Sequence, residues 1–129
     1  MDTENISLTE SEWQVMECLW EHSPKTGREL TEELALKMGW SRSTTLTFLR
    51  RLEVKRAVSS EGSEKVKAYS PLISRENAAL AEATGLLSRV YNGSIGLLVS
   101  SLTKKQRLSR EEIDEMYKLL GEMEANCDD

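Results

Sequence analysis

The sequence predicts a mainly α-helical protein with one small β-hairpin, and three observations lead to that fold class. Apolar residues recur at helical spacing in several separate stretches. Three of those stretches open on a Ser or Thr followed three residues later by Glu, the signature of a capped helix start. One pair of short segments with strand-type residues flanks a Glu61-Gly62-Ser63-Glu64 turn. A chain of 129 residues has room for one compact domain or two small ones. With 30% charged residues, 39% hydrophobic residues and only 2 prolines, it has the composition of a folded, helix-rich soluble protein rather than a disordered one.

Thr9 and Glu12 form the first capping box, and Leu8 is placed to staple onto Trp13. Trp13, Met16, Leu19 and Trp20 then repeat at helical spacing, so one face is buried, and Pro24 stops the helix. Thr26 and Glu29 open a second helix, in which Leu30 and Leu34 lie one turn apart and Gly39 supplies the C-terminal cap. Ser41 caps the third. Placed at about 100° per residue, Ser43 to Lys55 separate into two faces. Thr45, Phe48, Leu49 and Leu52 fall on one; Ser43, Leu46, Thr47 and Arg50 fall on the other, with Thr44 and Arg51 beside them. Val58-Ser59-Ser60 and Val66-Lys67-Ala68-Tyr69 read as hairpin arms, closed by Pro71. Three helices followed by a basic-tipped hairpin is the order of a winged helix-turn-helix DNA-binding domain, here assigned to residues 1–71.

From Ser74 the pattern is helical but poorer in aromatics. Leu80, Leu86, Leu87 and Val90 precede a break at Asn92-Gly93, and Ile95, Leu98, Val99 and Leu102 form a second amphipathic stretch. Ser109 and Glu112 cap a last helix striped by Ile113, Met116, Tyr117, Leu120 and Met123. Short helices of this kind do not bury their stripes alone, so residues 72–129 are expected to form a helical dimerisation domain. Its seam is assigned to Leu86, Val90, Ile95, Leu98, Val99, Leu102, Ile113, Met116 and Leu120.

The formal net charge of -5 does not exclude a nucleic-acid partner, because the charge is unevenly placed. Between Trp40 and Ser70 there are seven Lys or Arg (Arg42, Arg50, Arg51, Lys55, Arg56, Lys65 and Lys67) against three acids, Glu53, Glu61 and Glu64. A basic surface of this kind neutralises phosphates. Asp2 and Glu4 stand where a signal sequence would be basic, and no apolar stretch approaches a membrane span, so a cytoplasmic protein without stable membrane association is expected. Cys18 and Cys127 are too few and too far apart for a disulfide framework. Cys18 and His22 lie four apart, a spacing that can present two metal ligands, but two are too few. A buried thiol and a surface histidine are the simpler reading, with a site completed by Cys127 as the alternative. No metal or cofactor is expected. His22 has no neighbouring nucleophile and there is no phosphate-binding glycine loop, so the chain is not read as an enzyme.

Glu12-Trp13-Gln14-Val15-Met16, Trp40-Ser41-Arg42-Ser43-Thr44, Arg51-Leu52, Val90-Tyr91-Asn92-Gly93 and Leu108-Ser109-Arg110-Glu111-Glu112-Ile113 together resemble the BlaI/MecI/CopY penicillinase-repressor family. The resemblance spans nearly the whole chain. It implies a homodimeric winged-helix repressor of palindromic operators, acting in β-lactam resistance in one branch and copper homeostasis in another. Three positions depart from the family pattern. The tail has only Cys127 in place of the copper branch's cysteine-rich motif, Ala57 stands where a glycine usually follows the recognition helix, and Ser101-Leu102 matches the Asn-Phe bond at which the β-lactam repressors are cut by a signal-activated protease.

On the winged-helix reading, the DNA-binding residues are Arg42, Ser43, Thr44, Leu46, Thr47, Arg50, Arg51, Lys65 and Lys67. Thr44 and Thr47 would bond bases or phosphates, Arg50 and Arg51 would neutralise phosphate or read guanine, and Leu46 would meet a thymine methyl group. Lys65 and Lys67 alternate with Val66 and so are expected on one face of the hairpin. The plainer alternatives are a solvated helix face and a solubilised strand. Two other function classes remain compatible with the same elements: an effector- or metal-responsive winged-helix regulator, and a protein-interaction module that never touches DNA.

Overall fold

A computed structural model of the chain describes residues 6–126 apart from 64 and 106. In chain order the elements are α1 (Glu10–Glu21), β1 (Lys25–Thr26), α2 (Gly27–Met38), α3 (Arg42–Val54), β2 (Val58–Gly62), β3 (Lys67–Pro71), α4 (Arg75–Val90), α5 (Ile95–Lys104) and α6 (Arg110–Ala125). The fold is helical with a small antiparallel sheet, as the sequence predicts. The sheet has a third strand, in the order β1-β3-β2. β1 is two residues long, pairing Lys25 with Tyr69 and Thr26 with Ala68, and is too short to leave a periodicity.

The predicted helix starts are hydrogen-bonded as the residue types require. The Glu12 N–H donates to Thr9 Oγ1 at 3.2 Å while the Thr9 N–H donates to Glu12 Oε1 at 2.8 Å. Thr26 with Glu29 and Ser109 with Glu112 repeat the exchange for α2 and α6. Ser41 caps α3 by accepting from Thr44 at 3.2 Å. α5 has a cap that the sequence reading missed, Ser94, which lacks the acidic partner at the third helical position. The hairpin turn sits later than Glu61–Glu64. β2 and β3 stay paired from Val58↔Pro71 to Gly62↔Lys67, so the reversal lies beyond Gly62. Gly62 has φ 106, and a Cβ there would run into the Val66 carbonyl, so the strand ends on the one residue that tolerates this backbone.

The chain divides into two compact units, Met1–Gly85 and Leu86–Asp129. The division falls fourteen residues beyond the boundary drawn at 71/72 from the sequence, inside α4. Its physical reason is that Ile73 and Ala78 are buried in the first unit's core, and the Trp20 indole N–H donates to the Ile73 carbonyl at 2.9 Å. That core joins Val15, Met16 and Leu19 of α1, Leu30 and Leu34 of α2, and Leu49 and Leu52 of α3, with Val58 and Tyr69 from the sheet. Trp13 and Trp20 are only half-buried and meet edge to face, their centroids 5.0 Å apart.

Among the described residues of this unit, one charged group lies inside. Glu12 is 1% exposed, and its Oε1 accepts from Lys55 Nζ at 2.5 Å. Lys55 Nζ also donates to the Ser7 carbonyl at 2.7 Å. Burial acts to raise the Glu12 carboxyl pKa, but the bonds from Lys55 and Thr9 outweigh it and hold the group below its ordinary value. Lys55 therefore fastens the C-terminal end of α3 to the start of α1.

In the second unit no described residue is buried. Leu86, Val90, Ile95 and Leu120 are exposed, and Leu98, Val99, Leu102, Ile113 and Met116 are half-buried. Val99, Leu108, Ile113, Met116 and Leu120 line an apolar cavity of about 260 Å³ between α5 and α6. Asn92 and Gly93 both have positive φ, 51° and 80°, which is the break the sequence marks between α4 and α5. Among the described residues no helix is long and apolar enough to cross a membrane.

Candidate nucleic-acid interface

α3 is packed on one face and bare on the other. Thr45, Leu49 and Leu52 are buried, while Ser43, Thr47 and Arg50, at spacings that return to one side of a helix, are exposed. Thr44 is half-buried and its hydroxyl accepts from Ser41 Oγ at 3.0 Å, so it serves the helix start. The Thr47 hydroxyl donates to the Ser43 carbonyl at 2.8 Å, which leaves its oxygen outward as an acceptor. Arg42 and Arg51 are exposed, and the Arg51 guanidinium lies 5.5 Å from the centre of the Phe48 ring, a cation–π contact that stiffens it.

Three sequence expectations are corrected here. Leu46 does not stand out from the bare face; it is half-buried and packs against the core. On a helical wheel it lies about 40° from Arg50 and about 60° from both Ser43 and Leu49, at the edge of the bare face, so its partial burial comes from neighbours outside the helix. The apolar residue that does project from the bare face is Val54, 83% exposed, four residues beyond Arg50. Lys55 is tied to Glu12 and Ser7 and does not add to the outward charge. Lys65 and Lys67 do not alternate along one strand. Lys65 precedes β3 and is exposed, whereas Lys67 begins β3, is half-buried and comes within 4.0 Å of Glu53.

The two lysines nonetheless reach one feature, a groove of about 690 Å³ beside α3. Its cationic side chains are Arg28, Arg42, Lys65 and Lys67, from α2, α3 and the wing. Arg28 escaped the sequence reading because it sits among Glu29, Glu32 and Glu33, outside the basic stretch. The signal that could have found it is its place in the first turn of the helix preceding α3.

Cys18 is buried and His22 exposed, so the two do not face a common site. Burial, reinforced by the Glu33 carboxylate, pushes the Cys18 thiol pKa up to about 11 and leaves it un-ionised at neutral pH. Among the described residues no group of three His, Cys, Asp or Glu could hold a metal ion. Cys127 lies outside the described residues. Ser101 and Leu102 lie within α5, where the Ser101 hydroxyl donates to the Leu97 carbonyl at 3.0 Å.

A helix with a polar bare face, an adjoining helix and a hairpin bearing Lys65 and Lys67 define the class: a winged helix-turn-helix protein. Residues 8–122 match the model of a family described as penicillinase repressor. The chain is 32% identical to the penicillinase repressor of Bacillus licheniformis over 89% of its own length and 90% of the relative's. It is 26% identical to the methicillin resistance regulatory protein MecI of Staphylococcus aureus (strain N315) over 94% of its own length and 98% of the relative's. The solution structure of the DNA-binding domain of the repressor BlaI superposes with a TM-score of 0.53 at 30% identity, covering 57% of this chain and 89% of that one. The chain belongs to the penicillinase repressor family, whose members are transcriptional regulators and not enzymes.

Proposed function

We propose that the chain is a cytoplasmic, homodimeric repressor of transcription that binds a palindromic operator, and that its α3 is the recognition helix. The observation that carries this is the division of α3 into a packed face, Thr45, Leu49 and Leu52, and a bare one, Ser43, Thr47 and Arg50, beside a cationic groove. An α-helix with its side chains is about 10–12 Å across and enters a major groove about 12 Å wide. Thr47 would then offer its oxygen to a base amino group, Arg50 would reach guanine or phosphate, and Ser43, Thr44, Arg42 and Arg51 would hold the backbone. Lys65 and Lys67 would meet phosphates from the wing. The relatives' names, a repressor and a DNA-binding domain, agree with this reading.

Dimerisation through the second unit is supported by its uncovered apolar positions, Leu86, Val90, Ile95 and Leu120 above all. Release from DNA would follow cleavage near Ser101-Leu102 by a signal-activated protease. A protease needs extended backbone, and α5 is a ten-residue helix with no buried residue, so it opens locally at small cost. The test of the central reading is a gel shift with a palindromic duplex, half-sites about one helical turn apart, against a scrambled duplex of the same composition. Preference for the palindrome, falling steeply with salt, is expected. Equal binding to both overturns the reading.

A further inference from the structure

The groove beside α3 has a built character that the recognition surface itself lacks. Its floor is apolar, formed by Leu46, Tyr69 and the Cβ-less backbone of Gly27, where a methyl group would already sit 3.7 Å from the Tyr69 ring and 3.8 Å from Leu46. Its lining carries four cations, Arg28 from α2 with Arg42, Lys65 and Lys67, against one carboxylate, Glu32. An apolar floor with a mainly cationic lining is the complement of a sugar carrying a phosphate. The groove flanks α3 and does not lie on its bare face, so a duplex whose major groove received α3 would bring its backbone, and not its base edges, to this place.

Resting on the operator-binding reading, we propose that this groove seats one sugar–phosphate step of the duplex, with Arg28 as its phosphate ligand and Glu32 as the carboxylate that competes for Arg28. Arg28 Nε lies 3.2 Å from Glu32 Oε1, and both side chains are largely exposed, at 90% and 68%. An exposed pair one helical turn apart is weak enough to yield to a phosphate but still subtracts from its binding. Leu46 thereby acquires a role that replaces the thymine-methyl contact. It packs under deoxyribose and is indifferent to the base.

The experiment compares the full chain with Arg28→Ala and Glu32→Gln, using a palindromic duplex over a range of salt together with phosphate-ethylation interference. Arg28→Ala is expected to weaken palindrome and scrambled duplex alike and to lower the salt slope by about 0.9 per protomer. One phosphate of each half-site should drop out of the interference pattern. Glu32→Gln is expected to tighten binding about twofold per protomer. Thymidine monophosphate at millimolar concentration distinguishes a free nucleotide as the occupant, and it is expected not to displace the duplex. Displacement through Arg28 would overturn the backbone assignment. A slope and interference pattern unchanged in Arg28→Ala, with wild type still preferring the palindrome, overturns this inference alone. A wild type with no such preference overturns the operator reading and this inference with it.

Discussion

The two units of this chain solve the same problem, covering helical apolar stripes, in opposite ways. In Met1–Gly85 each of α1, α2 and α3 turns its stripe inward, and Met16, Leu19, Leu30, Leu34, Leu49 and Leu52 have no exposed surface at all. In Leu86–Asp129 the stripes are equally regular, yet Tyr117 is 74% exposed and Met123 is 70% exposed. The periodicity that announces a helix therefore says nothing about where its covering surface comes from. The first unit covers its own apolar stripes and is expected to be stable by itself, whereas the second is expected to gain its stability from whatever covers it.

The sharpest way to break that contrast is to truncate one leucine in each unit. Leu49→Ala should cost about 2–5 kcal/mol in chemical denaturation, because a fully buried side chain leaves a cavity. That cost should not vary with protein concentration. Leu120→Ala, at a 57%-exposed position, should leave the first unit's transition in place and act on self-association, shifting the dimer–monomer midpoint in sedimentation. A Leu120→Ala protein with unaltered association would remove that position from the proposed seam.

Next in size is the buried pair. Lys55→Met leaves Glu12 inside without its cation, and the loss should be about 2–3 kcal/mol, below the ~3–5 kcal/mol of a fully buried pair because the Lys55 side chain is 34% exposed. The sign of its pH dependence follows from Glu12. Its native pKa is lowered, so its contribution is complete above the ordinary carboxylate value of about 4.3 and is lost as pH falls through the lower native value. Thermal melts should show a smaller loss of stability on acidification below pH ~4.5 in Lys55→Met than in the parent chain.

Truncation sharpens the boundary. Residues 1–85 should fold and remain monomeric. Residues 1–71 should be less stable by roughly 2–3 kcal/mol, since they lack Ile73, Ala78 and the carbonyl that Trp20 bonds. Equal stability of the two fragments would restore the shorter boundary.

Much of this was legible because it is local. A capping box names its own partners within three residues, so Thr9, Thr26 and Ser109 could be read with their glutamates. The two faces of α3 could be read because burial follows helical angle, and the one misplacement, Leu46, is at the edge of the outer face by angle and is half-covered by neighbours from other elements. What stayed hidden depends on contacts distant in sequence. β1 exists because Tyr69 and Ala68 return to pair with Lys25 and Thr26. Lys55 is neutralised by a glutamate 43 residues earlier. Arg28 joins the groove only through the approach of α2 to α3 and the wing.

The smallest expected effect concerns how the helices of the two units end. The second unit turns after α4 on Asn92 and Gly93, residue types suited to positive φ. The first turns after α3 on Arg56, at φ 63. There the Arg56 N–H donates to the Glu53 carbonyl at 3.0 Å and the Ala57 N–H to the Leu52 carbonyl at 2.9 Å, the pair of bonds that closes a helix on a left-handed residue. The family's glycine was matched to Ala57 from the sequence, but the backbone calls for it one residue earlier. Arg56 is exposed and carries a Cβ in a conformation that disfavours one. Arg56→Gly removes that strain, and against it stands the greater freedom of glycine in the unfolded chain. The net effect should be a gain of about 0.5–1 kcal/mol, read as a rise of a few degrees in the melting of residues 1–85. Ala57→Gly should instead destabilise, because Ala57 is buried and needs no special backbone. If the two substitutions exchange signs, the left-handed residue is at 57 and the first unit's helix ends where the family pattern put it.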